Sequence, residues 1–143
     1  MANFLTDAYR NNILGDNTYT NVQLDADTIA IMFIDNADDT IVATDSTLSD
    51  VVAGARVPAA ASCPSLGSKT IGSVGVGVFD AADTTFTTLS GDQSEQLLLF
   101  KNTGTDGTAI LIACWDTFTS GMPITPNGGD VTVQWNGSGI FSV

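Results

Sequence analysis

The chain has 143 residues and a formal net charge of −12, with Arg10, Arg56, Lys69 and Lys101 as its cations and no histidine. Four scattered cations cannot neutralise a row of phosphates or hold an anionic bilayer surface, which argues against direct nucleic-acid or membrane binding. Without histidine the chain lacks the commonest general base, the Ser-His and Cys-His nucleophile pairs and the usual zinc ligand. Charged residues are 14% of the chain and hydrophobic ones 43%, where about 25% charged is ordinary for a soluble domain. Such a surface relies on Thr, Ser, Asn and Gly for solubility, or on cover by partners. The length fits one domain, 1–143, divided into an N-terminal helical arm (1–15) and a β domain (27–143), able to bury roughly 68–70% of its unfolded surface.

Asn3 to Leu14 reads as a short helix. Asn3 or Thr6 can cap it, Phe4, Leu5, Ala8, Tyr9 and Ile13 recur at helical spacing, and Gly15 is the stop. Thr28 to Ile34 is an apolar run of the kind seen in strands buried on both faces. Asp35 to Asp50 reads as a long polar loop, and Val51 to Ala61, broken by Gly54 and Pro58, as at best an edge strand. Cys63 to Ser68 is a turn or loop. Between Lys69 and Phe79 glycine alternates with valine and isoleucine, which signals close backbone approach or mobility. A Thr-rich strand is expected over Asp83 to Leu89. Gln96 to Lys101 and Thr108 to Phe118 are the best strands, joined by a hairpin-like loop with Gly104 and Gly107. Val131 to Trp135 and Ile140 to Val143 close the chain as short strands. The predicted class is all-β: an antiparallel sandwich or barrel-like domain with a short N-terminal helix.

No apolar run is long enough to span a membrane, and the first residues have neither a basic n-region nor an apolar h-region. The product is therefore expected to stay in a reducing cytoplasm, with Cys63 and Cys114 as free thiols and a Cys63–Cys114 bridge as the alternative. All acidic residues but Glu95 are Asp, a residue that caps turns and solvates loops. The close pairs Asp25/Asp27, Asp38/Asp39 and Asp80/Asp83 have no aromatic cleft beside them in sequence, so no catalytic residue is assigned and no enzyme is expected. Asp35, Asp38 and Asp39, with Asn36, are the candidate calcium ligands; they lack the spacing, glycine and distal glutamate of an EF-hand loop. No other cofactor is implied. Gly72 to Gly77 lacks the lysine and following helix of a phosphate loop. Trp115 and Trp135 read as core, with an interface anchor as the other role open to them.

Several segments together resemble a family of small virion proteins of tailed bacteriophages. They are the N-terminal segment Asn3 to Leu14, the strand Asp27 to Asp35, the Gly54-Ala55-Arg56-Val57 motif, the Phe79 to Phe86 segment and the tail Phe118 to Trp135. Ile41 to Ser49 lies outside the resemblance and reads as an insertion-tolerant loop. The resemblance implies a capsid decoration (cement) subunit on the virion surface, a homotrimer bound to neighbouring major capsid protein subunits and assembled in the host cytoplasm. A tail, neck or fibre-associated subunit is the alternative, and a calcium-dependent carbohydrate-binding β-sandwich the reading from another class. The residues expected at the interface are Phe4, Leu5 and Tyr9 on the helix and Met122 and Pro123 in the late loop, with closure of one end of the chain's own core as the other role for the first three.

Overall fold

A computed structural model describes residues 3–19 and 21–143. Three antiparallel sheets make up the fold, with one short helix. The elements are β1 (Phe4–Leu5), α1 (Asp7–Ile13), β2 (Ile29–Ile34), β3 (Arg56–Val57), β4 (Thr70–Ile71), β5 (Val78–Asp80), β6 (Thr84–Phe86), β7 (Gln96–Lys101), β8 (Leu111–Trp115), β9 (Val131–Val133) and β10 (Phe141–Ser142). A central sheet runs β1-β8-β7-β2-β3; β10-β5-β4 and β6-β9 form two smaller sheets. The all-β antiparallel class read from the sequence is the class observed.

β2 and β7 are the centre of the molecule. Every residue of both strands is buried, as a continuous apolar run predicts for a strand covered on two sides. Alternate side chains divide between two clusters. Ile29, Ile31, Phe33, Leu97 and Leu99 face the layer formed by the small sheets, through Phe79, Phe86 and Leu89. Ala30, Met32, Ile34, Leu98 and Phe100 face the long segment after β2, through Ile41, Leu48, Val51 and Ala55. Each of the large side chains contributes about 1.5–3 kcal/mol by leaving water.

β8 adds a bulge. Leu99 pairs with Ala113 but Phe100 pairs with Leu111, so Ile112 is the extra residue. Ile112 and Ala113 consequently both lie with the first cluster, while Leu111 and Cys114 lie with the second. The N-terminal segment attaches at this irregularity. Thr6 N–H donates to Ile112 O at 2.9 Å and its hydroxyl to Leu111 O at 2.5 Å. The same hydroxyl accepts from Tyr9 N–H and so caps α1.

The segment expected to be helical from Asn3 to Leu14 is thus an edge strand, a capping threonine and a seven-residue helix. Phe4 pairs with Cys114 and Leu5 with Ala113. Ala8, Tyr9 and Asn12 are the buried residues of α1, whereas Ile13 is 44% exposed. Asn12 replaces Ile13 on the inner face because its carboxamide accepts from Val22 N–H, which ties the following loop to the helix.

The long segment between β2 and β3 contains short 3-10 turns at Leu48–Asp50 and Ala53–Ala55. The reading of Ile41 to Ser49 as an insertion-tolerant loop is corrected here: Ile41 and Leu48 are fully buried, and Gln96 Oε1 accepts from Ile41 N–H at 3.0 Å. An irregular cover must still pair its backbone groups. Carboxylates do much of that work. Asp35 accepts from Ala37 N–H, Asp39 from Thr40 and Val52 N–H, Asp45 from Val42 N–H, and Asp50 from Ser46 and Thr47 N–H. The aspartate bias of the composition is a backbone-capping inventory.

Cations serve the same end. Arg56 donates to Leu48 O at 2.6 Å and Val51 O at 2.7 Å, and pairs with Asp106 at 2.7 Å, with its side chain only 9% exposed. Lys101 pairs with Asp27 at 2.9 Å and donates to Asn21 O, while Lys69 donates to Asp27 O. Burial pushes the Asp27 carboxyl up, but the Gln23 N–H bond and the Lys101 and Lys69 ammoniums together hold it below the ordinary range. Cys63 and Cys114 are both free thiols.

The glycine run resolves into a turn between β4 and β5. Gly77 has φ +73°, donates no Cβ to a space 2.6 Å from Val143 O, and accepts from Val143 N–H at 3.1 Å. Close backbone approach is the reason for glycine at this position.

Two expectations follow. Arg56→Ala should lower stability on the order of 3 kcal/mol by freeing buried carbonyls and losing charge-assisted bonds. Arg56→Lys should restore little of it, since an ammonium lacks the guanidinium fork; a denaturant midpoint near wild type in Arg56→Ala would contradict the clamp. Burial also pushes the Tyr9 phenol and the Cys114 thiol up to about 12, from 10.0 and 9.0. The unfolded chain releases these protons first, so stability should be intact below about pH 9 and fall as pH rises toward about 12. Urea midpoints measured across that window test the sign.

Candidate functional site

The register of the central sheet places Phe33, Leu97 and Trp115 side by side across β2, β7 and β8. This row is the floor of a groove of about 630 Å³. One wall is β9 and its continuation. Val131 and Val133 turn inward while Thr132 faces out and hydrogen-bonds Thr85 across the small sheet at 2.8 Å. Two residues on, Trp135 keeps the inward parity and meets Trp115, with ring centroids 5.8 Å apart and planes at 55°. Asp83 holds that position by accepting from Trp135 N–H at 3.0 Å.

The opposite wall is the loop after β8, with Phe118, Met122 and Ile124 half-buried against the same cluster. Both ends of the loop are anchored. At its start the Asn3 carboxamide oxygen accepts from Asp116 and Thr117 N–H at 3.1 and 3.0 Å, and its nitrogen donates to Thr117 O. At its end Ile124 and Ser94 exchange backbone bonds at 2.8 and 3.0 Å. Asn3, expected as a helix cap, clamps the loop instead.

The lining has a chemical signature. Asn3, Thr117, Thr119, Ser120, Gln134 and Asn136 supply amides and hydroxyls around the aromatic floor, and no Asp, Glu, Lys or Arg lines the groove. Trp135 Nε1 is buried without a hydrogen-bond partner among the described residues. Aromatic surface with a few neutral polar groups is the make-up of a small-ligand site.

The sequence-predicted residues fall in different places. Met122 is part of the groove wall and Pro123 is exposed beside it. Tyr9 is 4% exposed and packs edge-on against Phe141 at 6.0 Å, so its ring lies inside the chain's own core. Phe4 and Leu5 are half-buried at the sheet edge. Asp35, Asp38 and Asp39 do not converge: Asp35 and Asp39 accept from loop N–H groups, and Asp38 lies against Gly54. Among the described residues no three acidic or cysteine side chains gather so as to hold a metal ion. Trp115 and Trp135, read as core, are half-buried and shared between core and groove. The residues that sequence reasoning missed are Asn3, Gln134 and Asn136. The one signal that could have found the last two is the alternation Val131, Val133, Trp135, which sets the polar neighbours around an inward tryptophan.

Asn3→Ala should free the Asp116 and Thr117 amides and speed their hydrogen exchange roughly tenfold, for a loss of about 1.5 kcal/mol locally, with little change in the global midpoint. Unchanged exchange would show that the loop stands without the clamp.

The chain matches no family model and no characterised protein in sequence comparison.

Proposed function

We propose that the chain is a non-enzymatic structural subunit of a tailed-phage particle, a capsid decoration protein that binds major capsid protein subunits and self-associates as a homotrimer. The observation that carries this reading is an aliphatic surface at one end of the β10-β5-β4 sheet. Ile71, Val74, Val76 and Val143 are 55%, 46%, 101% and 67% exposed. They belong to one place: the turn containing Val74 and Val76 links β4 to β5, Val143 N–H bonds Gly77 O, and Val74 lies against Gly139. Contiguous exposed aliphatic surface is the mark of a protein–protein contact. The surface differs from the helix face expected from sequence, because Tyr9 is used internally.

The segments that carry the family resemblance have structural roles in this fold. Arg56 of the Gly54-Ala55-Arg56-Val57 motif is the clamp on the long cover. Phe79 and Phe86 are core residues from either end of their segment, and Asp83 between them positions Trp135 of the tail segment. The internal use of Arg56, Lys69 and Lys101 leaves a predominantly acidic exterior, suited to basic patches on a shell or to keeping particles apart.

Quantitative mass spectrometry of purified particles should find the protein in hundreds of copies. Val76→Asp, at a fully exposed position, should leave the fold intact and lower occupancy on particles at least tenfold. A copy number near a dozen or lower would overturn the decoration reading in favour of the tail or neck. Undiminished occupancy in Val76→Asp would remove the aliphatic end from the interface.

A further inference from the structure

The charge pattern of the groove is at odds with the rest of the chain. Sixteen of the residues are acidic, yet none of them lines it. Its floor and walls are aromatic and aliphatic, and its rim consists of uncharged hydrogen-bonding side chains. We propose that this groove is a binding site for a neutral oligosaccharide, engaged without calcium. The site is independent of the particle role, and either can fail without the other.

The ligand class follows from what the lining can satisfy. A sugar ring has an apolar C–H face and a perimeter of hydroxyls that both donate and accept. Indole rings offer broad apolar surface with one N–H each. Trp115 and Trp135, set at 55° to one another, present two such surfaces in different planes. That arrangement suits successive residues of a twisted glycan chain better than one flat aromatic ligand. Gln134 and Asn136 flank Trp135 in sequence, line the groove and are exposed; the Gln134 carboxamide can donate and accept, while the Asn136 oxygen already accepts from Ser138 N–H at 2.9 Å and leaves its amide nitrogen to donate.

The alternatives leave groups unsatisfied. A purely aliphatic ligand would strip water from the rim amides and hydroxyls without replacing it. An anionic ligand would meet no cation in the lining and an acidic exterior on approach, and a cationic one no carboxylate in the lining, where Asp83 and Asp116 behind it are engaged with Trp135 N–H and the Thr117 hydroxyl. The calcium-dependent version of carbohydrate binding is not the one supported here, because the Asp35 and Asp39 carboxylates cap their own loop and no three carboxylates gather among the described residues.

Both tryptophans of the chain line the groove, so intrinsic fluorescence of the whole chain reports on it directly. The titration uses neutral hexasaccharides of β-1,4-glucose, mannose, galactose and N-acetylglucosamine, each up to about 10 mM, a range that captures the affinity of a shallow site. At least one should give a saturable emission change with a Kd at or below about 1 mM. Chelator and high salt should leave that affinity unchanged. Gln134→Ala and Asn136→Ala, both at exposed positions, should weaken binding about fivefold or more while circular dichroism stays wild-type. Trp135→Phe should do the same by shrinking the aromatic surface open to a sugar ring; if it fails to fold, the two rim variants decide. No emission change with any of the four sugars overturns the proposal. So does a change that follows protein concentration rather than sugar, which would show a second copy of the chain in the groove, and so does binding that is lost on chelation.

Discussion

The double burial of β2 and β7 is the constraint on which the rest of the molecule depends. A strand whose side chains all leave water needs an apolar layer on each face, and this chain builds the two layers differently. One face is closed by regular structure: two small sheets and the inner residues of α1. The other is closed by a segment with almost no regular structure, from Asp35 to Cys63. Irregular backbone over a core is costly unless its N–H and C=O groups find partners. Asp35, Asp39, Asp45, Asp50, Gln96 and Arg56 provide them, so the side chains that make the composition unusual are the ones that let loops serve as a core layer.

Local patterns in the sequence were enough to locate this centre. The apolar run at Thr28 to Ile34 reads as a strand buried on both faces and Gln96 to Lys101 as a strand, and the Gly104/Gly107 loop announced the β7–β8 hairpin. What was hidden depended on long-range geometry. Phe4 and Leu5 have helical spacing with Ala8, but they pair with Cys114 and Ala113 at the open edge of β8. Ile41 and Leu48 sit in a polar stretch, and nothing nearby in sequence marks them as core; Gln96, far along the chain, fixes the backbone at Ile41. The groove was least legible of all. Its floor, Phe33–Leu97–Trp115, exists only through the register of three strands, and the Ile112 bulge displaces the simple alternation that would have oriented β8.

Charge and apolar surface are separated on the finished molecule. The carboxylates are concentrated in loops where they bind backbone, the buried cations are matched to carbonyls and to Asp27 or Asp106, and two uncharged features stand out among the described residues. These are the aliphatic end around Val76 and the aromatic groove around Trp135. One suits a flat contact with another subunit, the other a ligand with both apolar faces and hydroxyls. An N-terminal strand woven into the sheet edge, with Asn3 bracing the groove loop, makes the groove part of the central framework rather than an attachment to it.

Native-state hydrogen exchange read amide by amide tests most directly the claim that a carboxylate-capped loop serves as a core layer. The amides of Ala37, Val42, Thr47 and Val52, each donated to an aspartate, should be protected nearly as strongly as those of β2 and β7, because the cover opens only when the sheet loses its cluster. Exchange of those amides at the rate of a free chain, with β2 and β7 still fully protected, would contradict the account.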